Sequence, residues 1–178
     1  MSDKRQVRVN LAELSGAFEF HLPGRNAYLD LETGEIIWVT EETGWQLEAL
    51  WEELPEEDSY PLAALETLLS QHDELPDWQK EELRNAARVE AVGSSQYLDV
   101  DPEPYSDYRD MKRFILTLED ERLANRLEAA IRGRGAFRRF KALVARTPWL
   151  QQAWYDFQAR RIEARVQEWL DSAGIEAI

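Results

Sequence analysis

From residue 106 to residue 174 the apolar side chains return every three or four positions, broken only by a pair of glycines and one proline. That spacing places them on one stripe of an α-helix and leaves few folds open to this part of the chain. The first stripe is Tyr108, Met111, Phe114, Ile115 and Leu118, with Ser106 as its cap. Thr117 and Asp120 resemble a capping box that restarts the next helix, whose stripe is Leu123, Leu127, Ala130 and Ile131. Gly133 and Gly135 bracket a turn into a third stripe of Phe137, Phe140, Leu143 and Val144. Thr147 caps a fourth helix with Pro148 at its first position, and Leu150, Trp154, Phe157, Ile162, Val166, Trp169 and Leu170 lead to a stop at Gly174.

The N-terminal part reads differently. Val9, Leu11, Leu14, Ala17 and Phe18 predict one short helix, ended by Pro23 and Gly24. Tyr28, Leu29 and Leu31 precede Glu32, Thr33 and Gly34, and the β-rich run Ile36, Ile37, Trp38, Val39 follows. This is a hairpin, with Gly34 at the position that needs positive φ. Between residues 41 and 88 an acidic helical segment carries Trp45, Leu47, Leu50, Trp51 and Leu54, then Leu62, Leu65, Leu68 and Leu69, then a helix near Trp78 to Arg88. Pro55, Pro61 and Pro76 separate these helices. A strand at Gln96 to Val100 is placed beside the hairpin. The expected fold is α+β, a small antiparallel sheet against a mainly helical C-terminal half, in one domain spanning residues 1–178.

Three stretches carry a resemblance: YLDLETGEI in the hairpin, the run DYRDMKRFILTLEDERLANRLEAAIRGRGAFRRFK, and the closing helix with Trp154, Phe157, Ala164, Trp169 and Leu170. Together they resemble a bacterial group catalogued as uncharacterised protein family one hundred and fifty-eight. The resemblance implies a fold and a cytoplasmic bacterial setting, and brings no catalytic residue, cofactor or substrate with it.

Charge narrows the function classes. The net charge of −14 disfavours general binding to nucleic acid, which needs cations to displace counterions. The charge is uneven: residues 41–82 sum to −13, whereas residues 131–178 sum to +4. Without cysteine there is no disulfide, thiolate zinc site or thiol nucleophile. The opening MSDKRQVRVN has no apolar stretch behind its charges, so no secretory signal is read, no membrane association is expected and the expected setting is cytoplasmic.

The sharpest local feature is IRGRGAFRRFKALVAR, residues 131–146, with Arg132, Arg134, Arg138, Arg139, Lys141 and Arg146 and no acidic residue. On one reading the glycine turn and the helix after it bind an anion or a partner through Arg132, Arg134, Arg138, Arg139 and Lys141. On the other, these arginines lie over apolar surface or pair with the acidic middle of the same chain. The carboxylates Glu41, Glu42, Glu52, Glu53, Glu56, Glu57 and Asp58 suit either a solvated helix face or a decoy for a basic groove. Asp99, Asp101, Asp107 and Asp110 lie close together but match no calcium loop, so no metal is assigned. His21 and His72 stand in turn-like surroundings without a triad, and no cofactor is implied. Trp154 and Trp169 are expected as core anchors, and Trp45 and Trp51 are expected in the core as well, the alternative for that pair being a partner-binding or dimer patch. The expected function is a non-catalytic protein-interaction or regulatory module; the alternative is binding of nucleic acid or a phosphorylated ligand through residues 131–146.

Overall fold

In the computed structural model, which describes residues 4–20, 22–55, 61–101 and 107–178, the chain divides into two compact units. The first comprises Met1–Pro102 with Glu168–Ile178, and the second Glu103–Gln167. Eight helices and two small sheets lie among the described residues, an α+β fold.

The first unit opens with β1 (Arg5–Val7) and α1 (Leu11–Glu19). The Asn10 side chain accepts from the Glu13 N–H, satisfying one of the free donors of the first helical turn. The hairpin follows as β2 (Arg25–Asp30) and β3 (Ile36–Thr40), with Ala27 opposite Trp38 and Leu29 opposite Ile36. Gly34 has φ +76°, as the turn requires. Asp30 builds that turn: its Oδ1 accepts from Glu32 N–H at 2.8 Å, Thr33 N–H at 3.4 Å and Gln96 Nε2 at 3.1 Å. Burial alone raises the Asp30 pKa, but these hydrogen bonds outweigh it and hold the carboxyl below its ordinary range.

Thr40 ends β3 and caps α2 (Glu41–Trp51), its hydroxyl accepting from Thr43 N–H at 3.1 Å. Next come α3 (Leu62–Gln71), α4 (Asp77–Val92), a 3-10 turn at Gly93–Ser95 and β4 (Tyr97–Asp99). The acidic middle is thus three helices. β4 pairs with β2, giving the antiparallel order β3-β2-β4. Leu47, Leu50, Trp51, Leu65, Leu68, Leu69, Leu83, Ala86 and Ala87 form one core, with Val39 of the sheet packed on it. Arg84 of α4 ties α3 by a two-pronged bond to Glu66, at 2.7 and 3.2 Å. Trp45, expected in this core, is instead exposed, since it lies off the stripe that Leu47, Leu50 and Trp51 bury.

His72, the C-cap of α3, touches Glu74 at 2.6 Å through Nδ1 and Glu53, just past α2, at 3.1 Å through Nε2. These bonds, Glu74 first, raise its pKa above the ordinary 6.5. A raised imidazole pKa stabilises the fold fully below the unfolded value and loses that contribution as pH rises through the folded one. The urea midpoint of the wild type is therefore expected to fall between about pH 6.5 and the raised value, while His72→Gln shows no such step; equal profiles would remove the latch.

The first unit closes with β5 (Ile175–Ala177), parallel to β1 and unforeseen from the sequence. Arg5 N–H donates to Gly174 O at 2.8 Å and Lys4 pairs with Asp171 at 2.8 Å. Phe18 of α1 meets Trp169 edge to face at 6.1 Å.

The second unit is helical: α5 (Asp107–Ile115), α6 (Glu121–Ala130), α7 (Ala136–Val144) and α8 (Pro148–Ser172), the last passing into the first unit at Glu168. Its core is Met111, Phe114, Ile115, Leu127, Ile131, Phe140, Val144, Leu150 and Trp154. The Trp154 ring lies 5.1 Å from Phe114, 4.8 Å from Phe140 and 5.8 Å from Phe157. Two expected core rings turn outward: Tyr108 is 44% exposed under Lys112, and Phe137 is 38% exposed under Lys141. The cap of α6 is Asp120, accepting from Arg122 and Leu123 N–H, while the Thr117 hydroxyl donates back to Phe114 O. Ser106, His21 and residues 56–58 lie outside the described residues, and so does the Asp107 side chain.

Candidate interaction surface on the second unit

The corner between α6 and α7 is built by two left-handed glycines, Gly133 and Gly135, each at φ 75°. The last carbonyls of α6 and those of the turn would otherwise lack donors. Arg139, in the first turn of α7, supplies them. Its Nε donates to Ala130 O at 2.9 Å, its Nη2 to Arg132 O at 2.6 Å and its Nη1 to Arg134 O. A Cβ on Gly135 would sit 3.2 Å from that Nη1, so the glycine serves both the φ angle and the clamp. A planar guanidinium holds three carbonyls at once, which an ammonium cannot do in that geometry.

The remaining cations of the corner point elsewhere. Arg132 lies 3.9 Å from Glu128, both well exposed, a pair of small energetic weight. The Lys141 ammonium sits 4.7 Å over the Phe137 ring. Arg134, Arg138 and Arg146 are exposed and form no ion pair among the described residues. Of the residues singled out from the sequence, Arg139 is thus the structural clamp, and Arg132, Arg134, Arg138 and Lys141 form the outward face. Nothing in the spacing distinguishes Arg138 from Arg139; only the direction of the α7 helix does.

Charge separates the two units. The second holds fourteen Lys and Arg against nine Asp and Glu, a net of +5; the first holds seven against twenty-six, a net of −19. Asp110 is buried, its Oδ1 lying 3.4 Å from Arg161 Nε and 3.7 Å from Arg113 Nη1, so it serves α5 and α8. Elsewhere on this unit an open depression of about 560 Å³ is walled by Trp149, Phe114 and Leu118 and edged by Glu119, Asp120, Asp156 and Arg160. Two of its carboxylates are already engaged, Asp120 as the helix cap and Asp156 accepting from Gln152 at 2.9 Å. Among the described residues no three His, Asp or Glu side chains converge as a metal site, and no helix is long and apolar enough to cross a membrane.

No solved structure matches the chain. A UPF0158 protein of Pseudomonas aeruginosa is 24% identical over 173 residues, covering 97% of this chain and 87% of that one. The model of the uncharacterised protein family UPF0158 matches residues 75–178, which include the whole cationic corner and both of its helices, α6 and α7. With more than half of its length matched by that model, the chain belongs to the uncharacterised protein family UPF0158.

Proposed function

We propose that this protein is a non-catalytic interaction module that docks an acidic protein surface on the α6–α7 corner. One observation carries the reading: in a chain of net charge −14, Arg134 and Arg138 stand exposed on a unit of net +5 with no carboxylate of the described chain against them. Cations of the first unit such as Arg84 and Lys4 are paired internally. The corner is also held rigid by Arg139, so a partner meets a preorganised surface and little ordering cost is added on binding. Phe137, half exposed beside Lys141, adds an aromatic anchor of the kind enriched at interfaces. A protein partner is favoured over nucleic acid because the chain's net charge of −14 opposes general binding of a polyanion.

The test is affinity purification from the native cell at two salt concentrations, followed by titration of the partner recovered. Arg134→Glu with Arg138→Glu is expected to weaken binding roughly 10- to 100-fold by reversing two rim charges, with the melting temperature nearly unchanged. Arg139→Ala is expected to do the reverse, lowering the melting temperature more than the affinity. Undiminished binding by the double variant ends the proposal. A logarithmic salt slope of several units, about −0.9 per phosphate neutralised, would move the reading to nucleic acid.

A further inference from the structure

A second surface lies on the first unit, independent of the cationic corner. β3 is an edge strand in the order β3-β2-β4. Its ladder with β2 is fixed by Asp30 N–H donating to Glu35 O at 3.0 Å and Glu41 N–H donating to Gly24 O at 2.9 Å. Antiparallel pairing alternates, so Ile37 and Val39 direct their main-chain groups to β2, while Ile36 and Trp38 direct theirs to the open side. There the Ile36 N–H reaches only the Glu13 carboxylate, at 3.5 Å, and the Trp38 main chain has no partner among the described residues.

This open edge runs along a groove of about 460 Å³ lined by Glu13 and Gly16 of α1, by Phe20 just past that helix, and by Arg25, Ile36 and Trp38 of the sheet. Ile36 and Trp38 lie on one face, two residues apart, as strand geometry demands. The Arg25 guanidinium stacks on the Trp38 ring at 3.9 Å. Phe20 is 59% exposed, and the space beside Gly16 is empty, with no atom within 4 Å of a Cβ placed there. A helix beside a strand edge with free donors and acceptors is the arrangement by which an extended peptide is added to a sheet.

Charge selects the occupant. Glu35 precedes the edge, Glu41 and Glu42 follow it, and Glu13 stands on the opposite wall, while Arg25 is the one cation among the described residues that line the groove. The whole unit carries −19. A second copy paired edge to edge would bring two such units together, and the chain's own cationic stretch is helical, in α7, and so offers no strand. We propose that the groove between α1 and the outer edge of β3 receives an extended cationic segment of a protein partner. Its backbone pairs with Trp38, and one apolar side chain sits over Gly16 between Phe20 and Trp38.

The probe is a displayed library of random 12-residue peptides, selected on the full-length protein and counter-selected on Gly16→Leu. Leucine there fills the groove, while replacing a glycine inside a helix with a better helix former keeps the fold. Enriched peptides are expected to be rich in Lys and Arg with alternating apolar residues. They are expected to bind Gly16→Leu at least 10-fold more weakly, and to lose as much when the residue facing Trp38 is N-methylated, a change that leaves the protein intact. They are also expected to slow hydrogen exchange at the Trp38 amide at least 10-fold, and to bind Arg134→Glu/Arg138→Glu as they bind wild type. No enrichment, equal binding to Gly16→Leu, or an unprotected Trp38 amide would each overturn the proposal. Loss on the Arg134 and Arg138 variant alone would assign the peptides to the other surface and overturn it too.

Discussion

Replacing Gly34 by alanine is expected to destabilise the first unit by more than about 3 kcal/mol, read as a collapse of the urea midpoint. Two costs combine. The backbone at φ +76° charges an L side chain of the order of 1 to 2 kcal/mol. The added Cβ would also fall 1.5 Å from Arg8 O, a main-chain atom that no rotamer change can move aside. Relief requires the β1–α1 connection to lift away, which breaks the bond from Asn10 N–H to Gly34 O at 3.2 Å and disturbs the one from Gly34 N–H to Asp30 O at 2.7 Å. Asparagine tolerates the left-handed region better than alanine does. Gly34→Asn is nevertheless expected to be as damaging, because it carries the same Cβ; a clear rescue by asparagine would show that φ alone matters there.

Trp154→Ala is expected to cost about 3 to 5 kcal/mol, the range for emptying a large aromatic site in a packed core. The ring is 1% exposed and makes aromatic contacts with Phe114, Phe140 and Phe157, so its removal leaves three elements facing a void. Trp154→Phe is expected to cost far less than its lost volume suggests. The indole Nε1 is buried with no acceptor among the described residues, and phenylalanine removes that orphan donor along with part of the ring. Chemical denaturation with near-ultraviolet circular dichroism measures both. Equal losses for the two variants would mean that packing alone sets the energy of the site.

These two positions also mark how far the sequence could be read. Gly34 announced itself, because a glycine between two β-rich runs has few other uses, and the helical stripes of residues 107–172 were periodic over many turns. β1 and β5 were not legible: three residues each carry no period, and their pairing joins positions about 170 apart. Tyr108, Phe137 and Trp45 were misplaced for one common reason. Each is apolar at a position adjoining the buried stripe, and an aromatic can cover a neighbouring cation's stem or stand in water as readily as enter a core. The division into two units left no linker to notice, since α8 passes the boundary at Glu168 as uninterrupted helix.

The cationic corner was legible as a composition and not as a mechanism. Its arginines were countable, but the assignment of Arg139 to three carbonyls depends on where α6 ends relative to α7. The strand-edge groove had no sequence signal, because strand order within a sheet is set by tertiary packing.

A guanidinium stays charged at every pH a cell encounters. Arg139 gathers its three carbonyls with such a group, whereas His72 grips its two glutamates only until rising pH strips its charge. Acidification or alkalinisation of the surroundings can thus retune the acidic helices while the geometry of the cationic corner stays constant.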